Sequence, residues 1–181
     1  MLVREMNMDN TPLMGLSILL NFFASARVAQ LYVWPRLRAL PREEALNVLV
    51  APHMFRFVGL SFLLPGVVSP SLPHSFALHV AYGDLAALIL AGIATLALSA
   101  RASWAIPVTW LLGVVGTADL LYAYYDALFG VGLAPSDMGA AVYIPIVLVP
   151  PLLVAHALMF RVLLSATRGA SLDQAIASRS A

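Results

Sequence analysis

Four charged side chains stand inside long apolar stretches of this sequence, where a charge needs a partner. Arg56 lies within "PHMFRFVGLSFLLPG", Asp84 and Asp119 interrupt two later apolar stretches, and Arg27 interrupts the first. A guanidinium can bind two carboxylates at once through its fork of donors. Such a set can bind an anionic ligand, relay protons, or simply fix the packing of helices.

Two histidines also fall in separate apolar stretches. His53 and His156 lie at similar estimated depth, and paired histidines from different helices can be the axial ligands of a b-type haem. The alternative is that each is hydrogen-bonded separately. Cysteine is absent and all basic residues are arginine, which excludes disulfides, thiolate metal sites, iron–sulfur clusters and lysine Schiff bases. Apart from this haem hypothesis, no cofactor or metal site is predicted.

The composition indicates a membrane protein. The chain has 181 residues, of which 61% are hydrophobic and only 10% are charged, whereas a soluble domain has about 25% charged residues. The formal net charge is +1, so no basic surface for nucleic acid is expected. We therefore predict an integral membrane protein of a bacterial-type cytoplasmic membrane, with the lipid bilayer as its first partner.

Five stretches are long enough to form membrane helices, which need about 20 mostly apolar residues. They are residues 13–34, 45–68, 75–98, 104–129 and 139–164. The connections between them are short, so we predict an all-α fold, a single five-helix transmembrane domain over residues 13–165. Residues 1–12 are predicted to be an extracytoplasmic tail, and residues 166–181 a flexible cytoplasmic tail.

The arginines predict the orientation. Arg36, Arg38 and Arg42 lie in the first loop and Arg101 in the third, while the second and fourth loops have no arginine. Cytoplasmic loops carry an excess of Lys and Arg. The first loop, the third loop and the C-terminus are therefore predicted to be cytoplasmic, and the N-terminus to be outside.

A cleaved signal peptide is the alternative for the first stretch. Ala24-Ser25-Ala26 follows an apolar run, which resembles a signal-peptidase site. The preceding segment "MLVREMNMDN" contains more acidic than basic residues, unlike the basic start of a signal peptide. An uncleaved first helix is preferred.

Depth within each stretch, counted at about 1.5 Å per residue, predicts which polar residues meet. Asn21, Asp84 and Asp119 come out at similar depth towards the outside, with Arg56 about one turn deeper, near the midplane. Arg27, His53 and His156 fall in the inner half. An unpaired charge at a helix centre costs about 2.5–3.5 kcal/mol. These charges are therefore expected to point into the bundle, where Arg56 pairs with Asp84 or Asp119.

Residue spacing indicates which faces carry this interior. His53, Arg56 and Gly59 lie three residues apart in the second stretch. The fourth stretch has one face of small and polar residues, since three- and four-residue spacing repeats on a helix: Gly113, Gly116, Asp119, Tyr122 and Asp126. The small residues should permit close helix approach.

Prolines mark the fifth stretch as irregular. Pro145, Pro150 and Pro151 each remove a backbone donor and free a carbonyl about four residues earlier. A kink is expected, and the freed carbonyls need partners at membrane depth. An arginine or a bound ligand is the expected source.

Our leading hypothesis is a protein that binds or transports a small or lipid-like solute, with proton coupling through a polar interior. No catalytic residue is predicted. The predicted ligand-binding or proton-relay residues are Arg56, Asp84, Asp119, Tyr122, His53, His156, Asn21 and Arg27. Arg56 would capture the ligand while an aspartate exchanges a proton.

Two other classes of function stay open. One is a membrane-embedded enzyme acting on a lipid or isoprenoid, with an aspartate as general acid assisted by Tyr122. The other is a non-catalytic subunit or assembly factor of a larger membrane complex. A five-helix bundle is narrow, so a homo-oligomer is a further alternative.

Overall fold

Five long apolar helices make up most of the structure. The computed structural model describes the backbone of residues 10–177 and the side-chain surroundings of residues 10–165. The helices are α1 (Thr11–Leu37), α2 (Arg42–Leu63), α3 (His74–Ser99), α4 (Ala105–Gly130) and α5 (Ile144–Ser165), each long and apolar enough to cross a membrane. This confirms an all-α chain with five such helices. Their insertion and orientation stay predictions, as do the membrane's identity and the domain limits.

Two helix ends differ from the predicted bounds by five residues, and the others by three or fewer. The second helix ends at Leu63, not at residue 68, because Leu64 is extended and Gly66 has a φ of +84°. The fifth begins at Ile144 rather than at residue 139, because the chain kinks at Gly139, where φ is +55° and ψ is −135°. A Cβ on Gly139 would lie 2.4 Å from the carbonyl oxygen of Val67.

The C-terminal end of the chain also differs from the prediction. Where a flexible tail is predicted from residue 166, the backbone continues as a helix to Ala177. Residues 1–9 and 178–181, and so most of the predicted N-terminal tail, lie outside the described residues.

The second helix changes its winding along its length. It is α-helical over Arg42–Val50 and then 3₁₀-helical over Ala51–Leu63, with a proline near the start of the second part. A 3₁₀ helix has three residues per turn, so residues three apart stack in a straight line. His53, Arg56, Gly59 and Phe62 are all buried along this line. The tighter winding therefore places the two buried polar residues of α2, His53 and Arg56, on one narrow face.

The third helix has a stripe of small residues at its contacts. The stripe contains Ala77, Ala87, Ala91 and Ala94 at multiples of three and four residues, all buried. It packs against α2 and α4, and small residues allow such helices to approach closely. Asp84 lies on the same buried stripe, so it faces the neighbouring helices rather than the outside of the bundle.

Two apolar clusters flank the buried polar residues. We call the end of the bundle that holds Arg36, Arg38, Arg42 and Arg101 the Arg-rich end, and the opposite end the Arg-poor end. The cluster towards the Arg-rich end includes Leu46, Leu98, Leu112, Met159 and Leu163. The cluster towards the Arg-poor end includes Phe62, Phe76, Leu133 and Met138. Along α2 to α5, the buried charged and imidazole side chains lie between these two clusters.

The first helix is held mainly through the proline-rich part of α5. No residue over Thr11–Val28 is buried. The side-chain amide of Asn21 donates hydrogen bonds to the carbonyl oxygens of Ile146 (2.7 Å) and Val147 (3.0 Å). These are the carbonyls four residues before Pro150 and Pro151, so they lack their usual helical donors.

The predicted irregularity in the fifth helix is therefore present, as a π-helical turn over Ile144–Leu148. The partner expected for its freed carbonyls is different, however. Asn21 of α1 supplies the hydrogen bonds, rather than an arginine or a ligand. An amide has two N–H donors on one nitrogen, which suits two adjacent carbonyls.

Candidate functional site

Arg56 lies at the centre of a buried ion-pair arrangement from three helices. Its Nε donates to Asp84 Oδ1 at 2.5 Å, its Nη2 donates to Asp119 Oδ2, and its Nη1 donates to the carbonyl oxygen of Gly116 at 3.2 Å. The Arg56 side chain is 0% exposed. The predicted pairing of Arg56 with Asp84 or Asp119 is thus confirmed, and the guanidinium contacts both carboxylates. We call these three residues the charge cluster.

Three glycines make room for the buried polar side chains. A Cβ on Gly59 would lie 1.8 Å from Asp84 Oδ2, and one on Gly83 would lie 1.7 Å from Asp119 Oδ1. A Cβ on Gly116 would lie 2.8 Å from the His156 ring. In each case the polar side chain of one helix occupies the space above a glycine of the next. No larger residue fits these positions without moving the side chains.

His53 and His156 form a stacked pair beside the charge cluster. Their ring centroids are 4.0 Å apart with an angle of 35° between the planes, and the residues are 0% and 1% exposed. None of their four ring nitrogens has a hydrogen-bond partner among the described residues. Leaving a buried polar group unpaired costs about 1–3 kcal/mol. We call these residues the histidine pair.

The stacking does not fit the haem hypothesis. Axial ligands of a haem lie on opposite sides of the macrocycle, with the iron between their ring nitrogens. In the histidine pair the two rings are in direct contact, which leaves no room for a macrocycle between them. Among the described residues there is also no group of three or more His, Cys, Asp and Glu side chains placed to hold a metal ion.

A cavity of about 360 Å³ lies beside the charge cluster towards the Arg-poor end. We call it the main cavity. Its walls come from all five helices and are almost entirely apolar, while Asp84 and Asp119 form part of its surface. The aspartate side chains are 9% and 12% exposed, whereas that of Arg56 is fully buried. A molecule in the main cavity therefore meets the carboxylates and not the guanidinium.

A second cavity of about 250 Å³ lies between α2 and α5. It is lined by Phe55, Pro151 and Leu152 among others, and it also borders Arg56 and Asp84. Asp84, Leu120, Ile144 and Val149 line both cavities. These four residues form the wall between them, so Asp84 is presented to both sides.

Three predicted site residues lie elsewhere. Arg27 is exposed on the outer face of α1, where its Nη1 donates to Gln30 Oε1 at 2.6 Å, so it does not point into the bundle as predicted. Tyr122 is 51% exposed and its ring packs against His79. Asn21 joins α1 to α5. Arg27 is exposed because it lies on the outer face of α1, which has no buried residue over Thr11–Val28. Tyr122 is exposed because the turn of α4 puts its side chain on the outer face of that helix.

Tyr124, rather than Tyr122, lines the main cavity, and the sequence analysis did not identify it. It is half-buried, and its hydroxyl donates to the carbonyl oxygen of Pro145 at 2.6 Å. The face of α4 towards the cavity carries Leu120, Ala123 and Ala127. The two alanines four residues apart are the sequence signal that marks this second face.

The comparisons with known proteins leave the function open but assign a family. No curated protein sequence matches the chain, and no solved structure matches it. The family described as "Domain of unknown function (DUF8737)" matches residues 13–164, a range that contains the charge cluster and the histidine pair. The chain therefore belongs to the DUF8737 family.

Proposed function

We propose that this protein binds a small lipid-like molecule within the membrane, in the main cavity. The observation that carries the proposal is the combination of apolar walls with two partly accessible carboxylates at one place. Ligand pockets are mostly apolar, with a few polar groups that fix orientation. The volume of about 360 Å³ is near the lower end for such pockets, which suits a small ligand or one end of a longer one.

The two aspartates supply the polar contact in this proposal. Carboxylate oxygens accept hydrogen bonds, so they favour a ligand with a hydroxyl or an amine. Arg56 holds both carboxylates in position, because its own side chain is fully buried and donates to both of them. This differs from the sequence-based hypothesis, in which Arg56 itself captures the ligand.

The second cavity supports proton-coupled transport as an extension of binding. Asp84 lines both cavities, so a proton on its carboxyl can exchange with either side. The wall includes Ile144 and borders the π-helical turn before the prolines. Such turns are frequent at functional sites in helices. A shift of this segment would join the two cavities beside Asp84.

Photolabelling in lipid nanodiscs tests the binding proposal. The probe is a long-chain alcohol that carries a diazirine, and labelled residues are mapped by mass spectrometry after proteolysis. We expect saturable labelling of Phe62, Phe76 and other residues of the main cavity. An excess of unlabelled alcohol should suppress it, because the site holds one molecule.

A matched pair of variants controls for contact with bulk lipid. Ala123→Phe fills the main cavity, whereas Ala118→Phe adds the same ring to the exposed face of α4. Labelling of the cavity should fall about tenfold in A123F and stay unchanged in A118F. Labelling confined to exposed residues outside the main cavity, such as Leu20 and Phe23, with no competition, would contradict the proposal.

A further inference from the structure

The charge cluster contains one guanidinium and two carboxyl groups. Arg56 donates to both, yet Asp84 Oδ2 and Asp119 Oδ1 receive no hydrogen bond among the described residues. The Asp84 side chain is 9% exposed and lines the main cavity. With both carboxyls ionised, the cluster is one positive charge short. Buried charges without a partner are strongly unfavourable, so a second positive charge is favoured at this place.

The neighbouring ionisable groups do not supply that charge. On α3, His79 Nδ1 lies 3.8 Å from Oδ2 of Asp126 on α4, so the carboxylate in contact with His79 among the described residues is outside the charge cluster. On α2 and α5, the histidine pair lies on the Arg56 side of the cluster. Arg27 lies on the exposed face of α1 beside Gln30. The main cavity is the place from which a cation can reach both carboxylates, because the second cavity reaches Asp84 but not Asp119.

The walls of the main cavity also favour a cation. Four helices each contribute one aromatic ring: Phe22 from α1, Phe62 from α2, Phe76 from α3 and Tyr124 from α4. Aromatic faces attract cations such as quaternary ammonium groups. No arginine or histidine lines this cavity among the described residues, so nothing there attracts an anion.

We propose that the main cavity binds a hydrophobic cation, whose ammonium group lies against Asp84 and Asp119 and whose apolar part lies among the aromatic rings. This inference rests on the proposed function, since it names the ligand class for the same cavity. It replaces the anionic ligand that the sequence suggested. The guanidinium is the group that holds the site, and the ligand supplies the missing positive charge.

Two probes of similar size and opposite charge test the proposal. Benzyltrimethylammonium and benzylsulfonate both have a benzyl group and a tetrahedral charged head. Affinities are measured by isothermal titration calorimetry with the full chain in nanodiscs of uncharged lipid. We expect the cation to bind at least about tenfold more tightly than the anion. Equal affinity, tighter binding of the anion, or no detectable binding of the cation would overturn the proposal.

Asp119→Asn identifies the charged group, because an amide keeps the shape of the carboxyl and can still accept from Arg56. Cation affinity should fall about tenfold in D119N and stay unchanged in Asp126→Asn, the control on the same helix outside the main cavity. Asp84→Asn is the second test variant and should behave as D119N does. Unchanged cation affinity in both D84N and D119N would contradict the inference.

The photolabelling experiment separates the two proposals. If the alcohol probe labels the main cavity but the cation shows no preference over the anion, the cavity binds lipid-like molecules and the charge inference is wrong. If the cation binds and the alcohol does not label, the cation site stands and the broader proposal for neutral lipid-like ligands fails.

Discussion

Arg56 of the charge cluster and His53 of the histidine pair lie one turn apart on the same 3₁₀ segment, and the two groups differ in whether their polar atoms have hydrogen-bond partners. Three nitrogens of the Arg56 guanidinium donate to protein oxygens. The four ring nitrogens of His53 and His156 have no partner among the described residues. Arg56 and the two histidines are buried to nearly the same degree, so burial alone does not explain the difference.

This contrast separates groups that fix the structure from groups that cost stability. A buried polar network with its partners present is rigid and favours one packing. Unpaired buried groups destabilise the fold, and such local inconsistencies tend to occur at functional sites. The charge cluster is therefore expected to resist substitution. The histidine pair is expected to tolerate apolar replacement at the expense of function.

The largest expected effect is that of Arg56→Gln. The shorter neutral side chain leaves two carboxylates close together in the bundle without a cation. Removing one partner of a buried ion pair costs about 3–5 kcal/mol. We expect the free energy of unfolding in bicelles to fall by this amount. Adding Asp84→Asn and Asp119→Asn to R56Q should recover much of it, because no buried charge is then left.

Arg161→Gln is the control for loss of an arginine from an apolar helix. The Arg161 guanidinium lies 3.7 Å from the Trp34 ring centroid, and the residue is exposed. A cation–π contact of this kind contributes about 0.5–1 kcal/mol. A loss in R56Q no greater than in R161Q would show that the charge cluster does not stabilise the bundle.

The next largest effect concerns the room that glycine gives the charge cluster. In Gly83→Ala the new Cβ would overlap Asp119 Oδ1, whereas at Gly92 of the same helix nothing lies within 4 Å. Overpacking a buried site costs about 1–3 kcal/mol. Replacing a helical glycine by alanine in open space gains about 0.5–1 kcal/mol. G83A should therefore destabilise α3 packing while Gly92→Ala stabilises it, as measured by thermal unfolding of both variants.

A gain of stability in both variants would mean that Asp119 moves aside without cost. The fit of the carboxylates over glycine would then be loose, and the charge cluster would not be as rigid as the comparison with the histidine pair requires.

Asn21→Leu tests another place where a side chain satisfies polar groups of a neighbouring helix, here at the partly exposed contact of α1 with α5. Two carbonyls freed by prolines lose their donors in this variant. Hydrogen bonds between membrane helices contribute about 0.6 kcal/mol on average and up to about 1.7. We expect a loss of about 1–2 kcal/mol in the free energy of unfolding. Ser17→Ala, which removes only a bond within α1, is the control and should change stability little.

The sequence predicted the charge cluster because a lone charge within an apolar stretch is stable in only a few arrangements. Arg56, Asp84 and Asp119 had to face the interior and find opposite charge, and the structure confirms this. Arg27 obeys the same rule less strictly. It lies on a helix with almost no buried face, and its long side chain can extend along the helix towards polar surroundings.

The cavity and the lack of partners for the histidine pair were not predictable in this way. They depend on the distances between the packed helices, which the spacing of residues along the sequence does not determine. The 3₁₀ winding of α2 stacks His53 directly under Arg56, whereas an α-helix would offset them by about 60° around its axis. Likewise, Tyr124 rather than Tyr122 lines the main cavity because of which face of α4 the neighbouring helices leave uncovered.

His53→Leu has the smallest expected effect on stability. Its sign is opposite to the destabilisation expected for R56Q, G83A and N21L. Leucine has about the volume of histidine and carries no polar atoms, so the fold loses no protein hydrogen bond. Removing an unpaired buried group of this kind is neutral or stabilising, by up to about 1 kcal/mol. We expect unfolding of H53L at equal or higher temperature than the wild type.

His79→Leu, whose ring is partly exposed beside Asp126, is the control for loss of a histidine near the membrane surface. A loss above about 2 kcal/mol in H53L would show that its ring nitrogens do have a hydrogen-bonded partner in the membrane. The histidine pair would then belong, with the charge cluster, to the groups that hold the bundle together, and the contrast between the two would disappear.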